Sequence, residues 1–516
     1  MSVDQALIVK ITSEVLAKIQ SELVQPKLNI ETSVGESTPT EAEYGVPLPL
    51  VEVGVSRLDQ KVQPCQDSGI FTTVDEAVAA ARMAYKELRT LSLEKREELI
   101  KAMRNVSFEN ATMLAQMAVK EAGMGRVEDK IIKNELVAFK TPGTEDLCTE
   151  AWSGDCGLTL VEMGPYGVIG AITPTTNPSE TVICNGIGMI AAGNAVFFCP
   201  HPTAKNTSKK TIALLNEAIV KAGGPMNLLT SVADPSITAA NAMMRHPGIN
   251  MLVATGGPGV VKIVLSSGKK AIGAGAGNPP VIVDETADIE KAARDIIAGC
   301  SFDNNLPCIA EKEVIAIGCI ADKLITYMQK YGAYLISGSR IDQLLEVVMT
   351  ATEEKMAEGC TEKPKKIYGI NKEFVGKDAK YILSKIGIDV PDTIRVVLCE
   401  TPADHPFVIE ELMMPILPVV QVKDIDAAIE LAVKVEHGNR HTAMMHSKNV
   451  DNLTRFAKAI ETTIFVKNAP SYAGIGVGGE GFITFTIAGP TGEGLTSARS
   501  FTRQRRCVLV DAFSII

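Results

Sequence analysis

The chain has 516 residues, 46% of them hydrophobic, which is enough for two sizeable cores arranged in two or three structural units. Its formal net charge of −10 offers no general attraction to nucleic acid or an anionic membrane, and the basic run RQRR at 503–506 is too brief to reverse that. No apolar run is long enough to span a bilayer and no secretory order of basic, apolar and small residues opens the chain, so the sequence reads as soluble and cytoplasmic.

Residues 4–21 place Leu7, Ile8, Ile11, Val15 and Ile19 at helical spacing, with Lys10, Ser13, Glu14 and Lys18 elsewhere on the turn, and predict an amphipathic helix. Residues 22–65 are rich in Pro, Thr, Ser, Glu and Gly and read as a linker. This layout favours a tethered tag that offers its apolar stripe to a partner over a helix docked on its own domain. From about residue 66, helical patterns such as VDEAVAAARMAYKELRT alternate with short apolar runs, YGVIGAIT, AVFFC, NLLTSV and NMLVAT, that read as buried strands. A second alternating half follows with PPVIVD, EVIAIG, PILPVVQV, TAMMHS and TTIFVK. The fold class is therefore α/β, with two doubly wound domains joined near residues 267–277.

Several motifs compete for chemistry. Gly256, Gly257, Pro258 and Gly259 lie between a predicted strand and a predicted helix, where backbone N–H groups can face an anion. Gly476, Gly478 and Gly481 satisfy the GxGxxG spacing, but the strand-like FITFTIA follows where a nucleotide fingerprint needs a helix, and the match is set aside. His437, His441 and His446 straddle a Gly turn and a strand instead of sharing a helix face, so no metal site is assigned to them. No GxSxG elbow supports a serine hydrolase. Eleven cysteines, an odd number without CxxC pairing, fit reduced thiols. One of them, Cys308, follows a proline in DNNLPCIAEKE, between a polar turn and an apolar run.

In chain order, GPYGVIGAITPTTNP (164–178), GNAVFFCPHP (193–202), ATGGPGVV (254–261), NNLPC (304–308) and EELMMPILPV (410–419) resemble the motifs of the aldehyde dehydrogenase superfamily, over about residues 70–512. The resemblance implies a fold with two doubly wound α/β domains and a small β oligomerisation flap. Residues 66–150 and 164–270 would bind dinucleotide and CoA, residues 271–470 would carry catalysis, and 151–163 with 490–513 would form the flap of a homodimer or homotetramer. It makes Cys308 the catalytic nucleophile and Asn177 the side-chain oxyanion donor, assisted by the Cys308 backbone N–H. Read alone, Asn177 would be a turn residue before Pro178. Ile172, Thr173, Pro174, Thr175, His201, Pro202, Thr255, Gly256, Gly257 and Gly275 would meet the cofactor, and Glu411 the nicotinamide ribose.

Two departures narrow the resemblance. Hydrolytic members carry a general-base glutamate in an ELGG-like segment, whereas AIGAGAGNPP stands here, with no carboxylate between Ser267 and Asp284. Cys199, in FFCPHP, replaces the lysine usual for the adenosine ribose. Both departures, with the segments GNRHTAMMHS and FTIAGPTGEGLTSARS, resemble the CoA-acylating branch found in bacterial microcompartments, in which coenzyme A takes the acyl group in place of water. That branch implies NAD and coenzyme A as co-substrates, a short-chain aldehyde such as propanal or acetaldehyde, and residues 4–21 as an encapsulation helix for shell proteins in a microcompartment lumen. The absence of a fused alcohol dehydrogenase after residue 512 argues against the bifunctional enzymes. A hydrolytic NAD(P)-dependent aldehyde dehydrogenase and a non-catalytic microcompartment scaffold stand as alternatives.

Overall fold

The computed structural model describes residues 69–353 and 366–514. The predicted helix at 4–21 and the linker at 22–65 lie outside the described residues.

Six parallel strands form the first sheet, in the order Ile70–Phe71, Leu229–Val232, Ala195–Pro200, Val168–Thr173, Met251–Thr255, Lys270–Ala274. The sequence explains the choice: every residue of Ala195–Pro200 and Leu229–Val232 is buried, as strands covered by helices on both faces require. From Val168–Thr173 the chain steps outward through two strands, then returns to add Met251–Thr255 on the other side. The strand order thus reverses between Val168–Thr173 and Met251–Thr255, and a crevice for ligands opens beyond their carboxyl ends. The helix Glu180–Ala191 is buried at every residue, and its chain leads straight out of Asn177. Thr73 opens the first described helix, Val74–Leu88, with a reciprocal capping box to Glu76.

Seven parallel strands form the second sheet, in the order Ala333–Ile336, Val396–Glu400, Ile416–Val422, Glu313–Ile317, Pro280–Val283, Thr442–His446, Ile464–Lys467. The nine strands anticipated from apolar runs in the two halves are present, while the strand-like FITFTIA (482–488) is a strand only at Ile487–Ala488. Ala333–Ile336, Val396–Glu400 and the antiparallel pair Met349–Glu353 with Lys366–Ile370 were not anticipated. The strand Lys270–Ala274 still belongs to the first sheet, so the crossing falls at 275–279, later than a boundary at 270/271 places it.

A separate antiparallel sheet joins Glu150–Gly154, Gly157–Pro165 and Thr502–Val510. The chain between 490 and 501 does not extend it. Ala498 and Phe501 are buried instead, and Phe501 lies over Gly188 of the helix Glu180–Ala191, because these apolar side chains find cover there that an outlying ribbon cannot give. No described helix is long and apolar enough to cross a membrane.

Candidate active site

Cys308 lies in the loop that joins the helix Ile289–Ser301 to the strand Glu313–Ile317. Asp303, Asn304 and Asn305 precede it with φ of 48°, 54° and 64°, three successive residues in the left-handed region, which Asn and Asp tolerate better than other side chains. The turn is held from both sides. Asn305 Nδ2 donates to the Cys300 and Glu311 carbonyls at 3.1 and 2.9 Å, and the Lys312 ammonium donates to Asn305 Oδ1 at 2.7 Å. Of the described cysteines, four are buried and four exposed, while Cys308 alone is half-buried.

Asn177 and Cys308 line one small cavity together with Phe302, Ile309, Ile475 and Phe485, and its free space of about 10 Å³ is on the order of one water. Burial pushes the Cys308 thiol up to about 12; the Glu411 carboxylate raises it further, while Lys312 and Lys133 pull it down. Glu411 is itself pushed up to about 7 by burial, partly offset by Lys312 and by a hydrogen bond from the Gly277 N–H. Gly277 also passes tightly over Cys308: a Cβ there would lie 2.6 Å from the Cys308 carbonyl oxygen and 2.9 Å from the His441 ring. The segment that lacks a carboxylate is therefore the one running against Cys308, and it has no room for a side chain at Gly277.

The other site residues gather at the switch point. Thr173 ends its strand with a buried Oγ1 that has no protein partner. Pro174 and Thr175 follow, and Thr175 Oγ1 meets Thr203 Oγ1 at 2.8 Å. His201 Nδ1 lies 2.7 Å from that same Thr203 hydroxyl, and Pro202 starts a short 3-10 turn, so the ends of two adjacent strands form one rim. Ile172 sits one position earlier, half-buried. Across the crevice, Thr255 Oγ1 is tied to Thr486 Oγ1 at 2.8 Å and the Gly256 N–H to the Ala274 carbonyl at 3.1 Å. A Cβ at Gly256, Gly257, Gly259 or Gly275 would meet nothing within 4 Å, and Gly275 borders a groove of about 340 Å³ with Pro258, Lys262 and Asn439. An unfilled glycine cradle, an orphaned hydroxyl and the N-terminus of the helix Pro258–Leu265 suit a dinucleotide with its phosphates. Cys199, by contrast, is packed in the core and offers nothing to a ribose.

Four charged residues around Asn177 escaped the sequence reading. Lys130 and Lys133, one turn apart on the helix Val127–Lys140, are fully buried and donate to Asp303 Oδ2 at 3.0 and 2.6 Å; Lys133 also pairs with Glu180 at 3.2 Å. Burial works against the Lys133 charge, but Asp303 and Glu180 outweigh it and hold the ammonium above its ordinary range. Burial likewise opposes ionisation of Asp303, and the two lysines overcome it and hold the carboxyl below its ordinary range. The histidines are dispersed in role: His437 contacts the Ile409 carbonyl at 2.8 Å, His441 contacts Thr442 at 2.8 Å, and His446 is buried at a strand end. Among the described residues no three His, Cys, Asp or Glu side chains converge as a metal site.

Residues 65–481 match the aldehyde dehydrogenase family. The chain belongs to that family. It is 48% identical over 458 residues to the acetylating acetaldehyde dehydrogenase EutE of Salmonella typhimurium, covering 89% of this chain and 96% of that one. It is 50% identical over 455 residues to the CoA-propanoylating propanal dehydrogenase of the same organism, covering 88% and 94%. Among solved structures, this aldehyde dehydrogenase is similar to the propionaldehyde dehydrogenase of the Clostridium phytofermentans fucose utilisation microcompartment, with TM-score 0.83, 56% identity and coverage of 87% and 100%. It is equally similar to a Rhodopseudomonas palustris propionaldehyde dehydrogenase with bound CoA and an acylated cysteine, with TM-score 0.82, 56% identity and coverage of 87% and 99%.

Proposed function

We propose that this chain is a CoA-acylating aldehyde dehydrogenase that converts a short-chain aldehyde, CoA and NAD into acyl-CoA and NADH. The observation that carries the reading is the segment between Ser267 and Asp284, which runs past Cys308 at Gly277 and holds no carboxylate that could activate water there. Relatives named for acetylating and CoA-propanoylating activity, at about half identity over nearly the whole chain, support it.

In this reading the Cys308 thiol loses its proton to solvent and its sulfur adds to the aldehyde carbonyl, the C–S bond forms as the carbonyl electron pair moves onto oxygen, and that oxygen is met by the Asn177 amide and the Cys308 backbone N–H. NAD, when bound in the crevice lined by Thr173, Gly256 and Gly257, supplies the acceptor for the hydride. The carbonyl re-forms as a thioester on Cys308. A CoA thiolate then attacks that carbonyl, the C–S bond to Cys308 breaks, and the enzyme thiolate is regenerated. Water competes poorly because the segment between Ser267 and Asp284 brings no carboxylate to the thioester, while a thiol needs less help. Ile172, Pro174, Thr175, His201, Pro202, Thr255, Gly275 and Glu411 complete the cofactor rim.

The same reading makes residues 4–21 an encapsulation helix for shell proteins and places the enzyme in a microcompartment lumen. The antiparallel sheet exposes Trp152, Val508 and Val510, which suits burial in a homodimer or homotetramer. The deciding experiment measures NADH formation from propanal with and without CoA and identifies the product. CoA-dependent turnover to a thioester is expected. Steady CoA-independent release of free acid would favour a hydrolytic enzyme, and no turnover in either arm a scaffold.

A further inference from the structure

Lys133 sends its fully buried side chain from the helix Val127–Lys140 to the cavity that Asn177 and Cys308 line. Its ammonium has three N–H donors and three oxygen neighbours: Asn177 Oδ1 at 2.5 Å, Asp303 Oδ2 at 2.6 Å and Glu180 Oε1 at 3.2 Å. An ammonium only donates, so the Asn177 atom that faces it is the oxygen, and the orientation of the amide is decided by chemistry. Asn177 Nδ2 is thereby turned away from Lys133, with a single 3.3 Å contact to Thr176 Oγ1 that leaves its other N–H uncommitted. Asp303 does not depend on Lys133 alone for its neutralisation, since Lys130 also reaches it at 3.0 Å.

We propose that Lys133 is the positioning residue of the oxyanion site: it locks the Asn177 amide with its N–H toward the cavity beside Cys308, and its charge polarises that amide so that it binds a developing oxyanion more strongly. The proposal rests on the reading of Cys308 and Asn177 above. A charged donor on the carbonyl end of an amide draws electron density from the nitrogen end, and in a site shielded from water this coupling is little screened. Without Lys133 the amide is free to flip, and its oxygen would then repel the oxyanion it is meant to hold.

The test uses the full chain and two reactions. In the first, propionyl-CoA acylates Cys308 with no dinucleotide present: the Cys308 sulfur bonds to the thioester carbon, the electron pair passes to oxygen, and CoA leaves as its thiolate. Acylation is followed by intact mass. The second is the burst of NADH formed from propanal. Asn177→Ala should slow both by about 10²–10³, the usual loss for one oxyanion donor. Lys133→Met should approach that loss, and Lys133→Gln, which keeps a donor to Asn177 without the charge, should fall between. The double variant Lys133→Met with Asn177→Ala should be no slower than Asn177→Ala alone, because both remove one device. A purely structural lysine predicts additive losses, and additivity overturns the proposal. So does acylation of Lys133→Met within about threefold of the parent. Should Lys133→Met fail to fold, Lys133→Gln in the two Asn177 backgrounds decides by the same criterion. Parent-rate acylation in Asn177→Ala would instead remove the oxyanion role on which the proposal stands, and a parent chain that forms no acyl-enzyme from propionyl-CoA would sink the CoA-acylating reading itself.

Discussion

Asp303→Asn is the sharpest perturbation of the buried charge cluster. Its carboxylate is met on one side by the Arg126 backbone N–H, at 2.7 Å on Oδ1, and on the other by Lys130 and Lys133, at 3.0 and 2.6 Å on Oδ2. Every neighbour is a donor, so an asparagine must turn its NH₂ toward one of them, whichever way it is oriented. The substitution also leaves two buried ammoniums against the single carboxylate of Glu180. Removing one partner of a buried ion pair costs about 3–5 kcal/mol, and the donor facing a donor at Arg126 or the lysines pushes this variant to the upper end. For a folded body of this size the unfolding entropy is on the order of 1 kcal/mol/K, so the melting midpoint should fall by roughly 3–5 °C. Scanning calorimetry at one fixed scan rate measures it, with Asp392→Asn as the control. Asp392 makes an exposed 3.0 Å pair with Lys380 and should leave the midpoint where it is. An Asp303→Asn midpoint within about 1 °C of the parent would mean that the cluster is not held as ions, and the stability argument would fail.

Three further outcomes follow from the same physics. Burial raises the Glu311 carboxyl to about 7, only partly offset by its bonds from the Ser471 N–H and Oγ, so the folded state holds its proton more tightly than the unfolded chain does. Stability from this group is present at low pH and is lost as pH rises from the ordinary carboxyl range through 7, by on the order of 3 kcal/mol; Glu311→Gln should therefore raise the urea midpoint at pH 8 but not at pH 5, and an unchanged pH slope would refute it. Because burial holds the Cys308 thiol near 12, its alkylation by iodoacetamide, followed on the Cys308 peptide, should quicken about tenfold per pH unit from pH 7 to 9. A plateau in that range would show a thiolate already formed. Deleting residues 1–21 should leave turnover unchanged and abolish co-purification with microcompartment shells, whereas lost turnover with retained shell association would make the helix part of the catalytic body.

The sheets were legible because their strands are short apolar runs that must be buried on both faces, as in Ala195–Pro200 and Glu313–Ile317. Ala333–Ile336 and Val396–Glu400 escaped notice among longer mixed segments, and their strand character comes from pairing with each other and with Ile416–Val422. Gly476, Gly478 and Gly481 all have positive φ and open onto no helix, in keeping with setting their GxGxxG spacing aside. Cys308 and Asn177 could be named from the motifs around them, and the structure brings both to one cavity. Lys130 and Lys133 could not. In VEDKIIKNELVAFK the two lysines read as part of a solvated polar face, and only the carboxylates of Asp303 and Glu180, far away in the chain, make their burial tolerable.

The left-handed turn before Cys308 also bears on when the enzyme becomes competent during its synthesis. Asp303 in that turn is secured by Arg126, Lys130 and Lys133, partners 170 to 177 positions earlier in the sequence. Such distant contacts close late, because the entropy of joining remote segments must be met before they bring any return. A nascent chain that has just released the cysteine from the ribosome therefore has the thiol but not the shape that aims it. The alignment of Cys308 with Asn177 in one cavity comes only with the closing of contacts between segments far apart in the chain.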